Sequence, residues 1–182
     1  MNQFTVPAQH QVSENNQIIF ENLKKSLGFV PNLYAYFAKN ETALGDYLAL
    51  QNRKSTLRAK EREVINLVVS QVNDCRYCQS AHTVLGKMNG FTDEQILEIR
   101  SGSASFDQKL DALAKFVHSL AERRGKPEHA ATAALFAAGY TEANLVDIIL
   151  VTGDKIISNY LHGVTQFPID FPVAPVLDEV YA

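Results

Sequence analysis

Arg62-Glu63-Val64-Ile65-Asn66-Leu67-Val68-Val69-Ser70-Gln71-Val72-Asn73-Asp74-Cys75-Arg76-Tyr77-Cys78-Gln79-Ser80-Ala81-His82 is the stretch on which the fold turns. Its first half is crowded with β-branched residues and invites a strand. It has no period-2 alternation, however, and it outlasts most strands, so the pattern predicts a buried helix over 59–72. Only Asn73 and Asp74 separate it from a second helix, expected from Cys75 to about Asn89. Asp74 is the expected N-cap and Gly90 the stop.

That second helix carries both cysteines of the chain and one of its five histidines. Successive helical residues turn by about 100° and rise about 1.5 Å, so Cys78 and His82, four apart, share a face. Cys75 and His82 are roughly 10 Å apart along the axis, too far for contact. In the first turn the helix dipole favours a thiolate at Cys75. Cys78 borders the apolar arc of Tyr77, Ala81, Val84, Leu85 and Met88 and is expected to be the less exposed thiol. Two other readings compete with a redox dithiol. Free cysteines are commonly inert buried hydrophobes, and Cys-x-x-Cys-x-x-x-His supplies three of the four ligands of a structural zinc.

Outward from this core the chain reads as helices throughout. Residues 1–12 are an expected arm. Ser13 caps a helix to Leu27 that Gly28 ends. Phe29-Val30-Pro31-Asn32 turns into a short helix to Ala38, and Asn40 caps another to about Lys54. Beyond Gly90, Thr92-Asp93-Glu94-Gln95 opens a helix to Arg100 as a capping box. Ser101–Ser105 resembles a loose linker. Helices follow from Asp107 to Arg124, from Pro127 to Ala138, and from Thr141 to about 162. A proline-interrupted tail over 163–182 has apolar residues enough to pack on this subunit or a neighbour. Gly90-Phe91-Thr92-Asp93 and Gly139-Tyr140-Thr141-Glu142 recur 49 residues apart, which suggests two related helical halves. The expectation is one all-α domain over 1–182.

The chain has 182 residues, 46% hydrophobic, with a net charge of −3. That suits a water-soluble globular protein with a sizeable core. There is no basic run for nucleic acid, no long apolar run for a membrane and no leader-like N-terminus, so a cytoplasmic protein is expected. In that compartment a lone Cys-x-x-Cys is catalytic or metal-binding more often than a staple.

A redox dithiol needs proton traffic, and a His–carboxylate pair supplies it. If the two helices pack antiparallel, Glu63 and His82 stand at similar heights about the turn. Glu61 falls inside the apolar arc of its helix and Glu63 at its edge, so pattern alone leaves both open. A solvated first-turn role is the plain alternative for either. His10 and His129 look exposed, His118 looks like a hydrogen-bonded core or interface residue, and His162 sits at a helix end. Arg123-Arg124 looks like a solvated helix end. Phe29, Tyr34, Tyr36 and Phe37 fit core packing or a substrate passage.

As a unit, Glu63, eleven residues, Cys75-x-x-Cys78, three residues and His82 resemble the signature of the alkylhydroperoxidase-D-like (AhpD-like), carboxymuconolactone decarboxylase family. Phe29-Val30-Pro31-Asn32 and the stretch from Asn159-Tyr160 to Pro168-Ile169-Asp170 resemble its peroxidase-related branch. The resemblance implies an AhpD-like helical bundle and a homo-oligomer, trimer or hexamer, with its site near an interface. It implies a thiol-dependent peroxidase in which Glu63 polarises His82 and His82 activates Cys78, directly or through water. Cys78 would attack a small hydroperoxide and Cys75 would resolve the sulfenic acid to a disulfide. Helix-dipole reasoning favours Cys75 as the more reactive thiol instead. No cofactor is implied, only an external dithiol reductant, lipoyl-type or thioredoxin-like. Some members have a second His before the latter cysteine, where this chain has Tyr77. The decarboxylase branch lacks the dithiol, so lactone decarboxylation is not expected. The alternative is a zinc-binding or redox-sensing helical module without turnover.

Overall fold

A computed structural model of the chain describes residues 4–177. Among the described residues there are nine α-helices and no strand: α1 (Glu14–Leu27), α2 (Asn32–Phe37), α3 (Ala43–Asn52), α4 (Ala59–Val72), α5 (Arg76–Met88), α6 (Asp93–Arg100), α7 (Gln108–Glu122), α8 (His129–Ala137) and α9 (Glu142–Thr165). A 3-10 turn over Gln9–Gln11 precedes them. The all-α expectation is met. No described helix is long and apolar enough to cross a membrane.

The valine-rich segment is α4, and it is the hub, packing against α5, α6, α7 and α9. Val64, Ile65, Leu67, Val68 and Val69 are all fully buried. A β-branched residue gives up at most about 0.7 kcal/mol of helix propensity, whereas each buried Val, Leu or Ile returns about 1.5–3 kcal/mol. Burial therefore overrides the strand-like composition.

The turn after α4 differs from expectation. Asp74 does not cap α5; it adopts φ +48°, the left-handed conformation. Cys75 N–H donates to the Ser70 carbonyl and Asp74 N–H to that of Gln71, a Schellman stop with Asp rather than Gly at its left-handed position. The N-cap is Cys75 itself, whose sulfur accepts from Cys78 N–H at 3.4 Å. Asn40 likewise lies outside α3, although its side chain still accepts from the N–H groups of Thr42 and Ala43 just ahead of it.

The two Gly-aromatic-Thr joints are built alike. Gly90 and Gly139 are both left-handed and close Schellman stops on α5 and α8. Phe91 and Tyr140 are buried behind them, and Thr92 and Thr141 cap α6 and α9 with capping boxes.

Three other expectations need correction. The segment Ser101–Ser105 is no loose linker: Ala104 is buried, its N–H donates to Asp111 at 2.9 Å, and Ser105 N–H donates to Glu98. Gly102 is left-handed there, and a Cβ would lie 2.7 Å from His118. The tail starts at Gln166 rather than 163, because α9 runs on to Thr165. The N-terminal arm is anchored, with Val12 buried in a cluster beside Phe20, Ala35, Ala38 and Leu44. Residues 1–3 and 178–182 of the expected arm and tail lie outside the described residues.

Helix α9 has two faces. One is buried and polar, with Asp147, Thr152, Asp154, Lys155, Ser158, Asn159 and His162. The other exposes Val146, Ile149, Ile157, Tyr160 and Val164. Near its start, Asp147 clamps the α3–α4 connection, accepting from Thr56 N–H, Thr56 Oγ1 (2.7 Å) and Ser55 Oγ (3.1 Å) and pairing with Arg53 at 2.6 Å. Burial alone would raise the Asp147 carboxyl, but these bonds outweigh it and hold it well below the usual range. A depressed carboxylate contributes stability above its unfolded value, near 3.9, and loses it as pH falls through the folded one. Asp147→Asn is expected to cost on the order of 2 kcal/mol at neutral pH. Thermal melts should show the gap from wild type narrowing below about pH 4.

Candidate functional site

The Schellman turn folds α5 back along α4, and the two partners separated by 19 positions meet. His82 Nδ1 lies 2.8 Å from Glu63 Oε2, with both side chains buried. Burial would raise the Glu63 carboxyl; the attraction of His82 and its hydrogen bond prevail, and the carboxyl is lowered. An ionised carboxylate only accepts, so Nδ1–H donates to it and the other ring nitrogen is left for chemistry. Asn66 Nδ2 fixes the second carboxylate oxygen, Oε1, at 3.1 Å. Glu61 is the residue that does not join: it is also buried, bonded to Arg58 N–H and within reach of Tyr140 and Lys109. Neither glutamate is a solvated first-turn residue.

Both cysteines are reduced, and both are buried, Cys75 at 3% exposure and Cys78 at 2%. Cys78 is the less exposed thiol as expected, but by very little, because α2 and the tail cover the mouth of α5 and with it Cys75. Leu33 and Phe167 pack with the two cysteines and Tyr77. The cover is clasped: Asp170 accepts from Asn32 N–H at 2.6 Å, and Asn32 Nδ2 donates to the Pro168 carbonyl at 2.9 Å. The pull of the helix dipole toward a thiolate at Cys75 is outweighed. The hydrogen bond between the two sulfurs, followed by burial, pushes the Cys75 thiol up. The same bond lowers Cys78, helped against burial by Lys155, His82 and Asn159. The pair shares its protons, with Cys78 as the thiolate side.

A cavity of about 510 Å³ adjoins the pair. Arg62, Glu63, Asn66, His82, Asp154 and Lys155 form part of its polar wall, and Phe29, Leu33, Val84, Leu85 and Phe171 part of its apolar one. The cysteines are not among its lining residues, whereas their neighbours on α5, Tyr77, Ala81 and His82, are. Tyr77 packs edge-on to Phe167 and Phe171, and its hydroxyl accepts from Leu33 N–H at 3.2 Å. Burial pushes that hydroxyl far above its ordinary range, which makes it a poor proton donor.

Several polar residues of this region were not singled out from sequence. Lys155, Ser158 and Asn159 come from the far end of the chain, on α9; Ser158 Oγ lies 3.8 Å from Cys78 Sγ. Their only sequence signal is a polar stripe on an otherwise apolar helix. Arg100, read as a helix end, is buried and donates to Gln71, Gln79 and the Pro175 carbonyl. His162 is buried against Tyr77 and bonded to the Phe167 carbonyl. His118 is half-buried with an ion pair to Glu122, and Arg123 pairs with Glu128 at the surface. Of the aromatic stripe, Phe29 and Tyr34 line the cavity, while Phe37 stacks on Tyr47 in the core. Among the described residues no three His, Cys, Asp or Glu side chains converge to hold a metal.

Coverage of both sulfurs sets their accessibility. A bulky disulfide reagent is expected to modify the native protein much more slowly than the same protein unfolded in guanidinium chloride, with two thiols titrated per chain after unfolding. Colorimetric thiol counting against time checks this.

The model of the carboxymuconolactone decarboxylase family matches residues 36–116, which span the whole Glu–Cys–Cys–His set. Among curated proteins, none matches the chain significantly. Among solved structures it is similar to an uncharacterised peroxidase-related protein from Silicibacter sp. TM1040, with 25% identity, a TM-score of 0.79, and coverage of 90% of this chain and 88% of that one. It is similar also to a peroxidase-related protein from Ralstonia eutropha JMP134, described as an alkylhydroperoxidase AhpD core, with 20% identity, a TM-score of 0.82 and 92% of each chain covered. The debrominase Bmp8, solved as a cysteine-to-alanine variant with 2,3,4-tribromopyrrole, shares the fold at 15% identity, a TM-score of 0.76 and 93% of each chain. Motif, helical order and these likenesses agree: the chain has the AhpD-like all-helical fold, and over residues 36–116 it is similar to the carboxymuconolactone decarboxylase family.

Proposed function

We propose that this protein is a thiol-dependent peroxidase that reduces a hydroperoxide through the Cys75–Cys78 dithiol. The observation that carries the proposal is the buried 2.8 Å Glu63–His82 bond beside a dithiol whose second sulfur favours the thiolate. Glu63 fixes the ring and its tautomer, and His82 accepts the Cys78 proton, directly or through a water. The Cys78 thiolate attacks the terminal oxygen of ROOH; the O–O bond breaks, an S–O bond forms, and the alkoxide leaves with the proton from His82 as ROH. Cys75 then attacks the Cys78 sulfenic acid, water departs, and a disulfide closes. An external dithiol, lipoyl-type or thioredoxin-like, reduces it in two exchange steps and is itself oxidised to a disulfide. Since Cys78 is 2% exposed, side chains above it move before the peroxide oxygen reaches sulfur.

In a coupled assay with dihydrolipoamide, Cys78→Ser is expected to consume no peroxide. His82→Ala and Glu63→Ala are each expected to lower kcat/KM by roughly 100-fold or more, the range of general acid–base catalysis. Wild-type turnover by Cys78→Ser would sink the proposal.

The same proposal includes a cytoplasmic homo-oligomer. Its support is the apolar stripe on α9, where Tyr160 and Val164 are 63% and 69% exposed on one face. Sedimentation of wild type is expected to show a trimer or hexamer, and Val164→Glu, which places a charge on that stripe, is expected to shift it toward monomer.

A further inference from the structure

We propose that Lys155 is the counter-charge that keeps Cys78 as a thiolate, a positioning residue delivered from α9 rather than from the helices that carry the motif. The inference rests on Cys78 being the reacting sulfur of the proposed peroxidase and adds to that reading the source of its charge.

Three observations place Lys155 in this role. Its side chain is only 2% exposed and lines the same cavity as Glu63 and His82. It sits one helical turn before Ser158 on the buried face of α9, and Ser158 Oγ lies 3.8 Å from Cys78 Sγ. No carboxylate forms an ion pair with it at 4.0 Å or less among the described residues. A buried ammonium is costly unless an anion balances it, and besides the Glu63 carboxylate its charge bears on the Cys78 sulfur.

A count of the facing groups, element by element, leads to the same place. On α4 there is Glu63, bonded to His82 on α5; Lys155 helps hold the Glu63 carboxyl down, and both Lys155 and His82 favour the Cys78 thiolate. Cys75 and Tyr77, also on α5, are both pushed up and stay neutral. On α9, burial lowers His162, so it is neutral at pH 7. Asp154 lines the same cavity and accepts from Gln51 Nε2 at 3.4 Å. Tyr34 on α2 and Tyr47 on α3 are raised by burial and by Asp154. In the tail, Asp170 is committed to Asn32 N–H. Arg62, on the cavity wall, donates to the Gln51 carbonyl at 2.7 Å. Of the cations on the cavity wall, Lys155 is the one on the face of α9 that also carries Ser158 to the Cys78 sulfur. Ser158 completes the cradle: its hydroxyl, bonded to the Lys155 carbonyl at 2.9 Å while Cys78 is protonated, is able to swing onto the sulfur when the proton leaves.

The test reads thiol ionisation, not turnover. In a Cys75→Ser background, where one sulfur remains, the rate of iodoacetamide alkylation of the folded protein is followed against pH. Lys155→Met, close in shape and uncharged, is expected to move the midpoint upward by about one pH unit or more. Lys155→Arg is expected to stay near the background value. An unchanged midpoint in Lys155→Met overturns the proposal, and so does an equal upward shift in Lys155→Met and Lys155→Arg, which would make packing rather than charge the agent. Should Lys155→Met not fold, Lys155→Gln, neutral and polar, carries the same decision. Because alkylation needs no peroxide, a protein that fails as a peroxidase still answers whether Lys155 sets the ionisation of Cys78.

Discussion

The whole site depends on how α4 stops. A helix that ends in a left-handed residue with two back-bonded N–H groups reverses the chain in the fewest residues. Here that reversal, at Asp74, sets α5 alongside α4 in the one register that brings Glu63 against His82. It also makes Cys75 a helix cap instead of a first-turn residue. Acid, imidazole and sulfurs are thus arranged by a local backbone event, and the long-range fold is asked only to bury them.

Burial on that scale brings a conflict. Glu63, His82, Asp154, Lys155 and two thiols lie within an otherwise apolar interior, and charges taken from water are destabilising unless balanced. The structure answers with a graded arrangement. Glu63 is saturated by His82 and Asn66. Asn159 ties α9 to α4 through Asn73 at 2.9 Å, so the α9 groups near the sulfur are held by backbone-scale anchors. Lys155 stands among these groups, and its charge bears on both the Glu63 carboxylate and the Cys78 sulfur.

Much of the architecture was legible from residue order. Glycine stops followed by Thr capping boxes marked the joints at 90–92 and 139–141, and the boundaries of α1 and α4 follow from caps and periodicity. The motif residues were legible too, since fixed spacings on two adjoining helices constrain which side chains meet. What stayed illegible was everything non-local. Asp74 has the chemistry of an N-cap and of a left-handed stop, and only the close packing of α5 on α4 decides between them. The exposure of Cys75 hinged on Phe167 and Leu33, which the chain brings in from both sides of the sequence. Lys155 carries only the faint signal of a polar stripe, because a lysine on a helix is ordinarily solvated.

Helix α9 is one continuous rod over Glu142–Thr165, with sulfur-facing polar groups on one side and bare hydrocarbon on the other. A rod of that stiffness cannot roll or slide on one side alone. Any contact made on the hydrocarbon stripe would therefore bear on the same rod that carries Lys155 and Ser158.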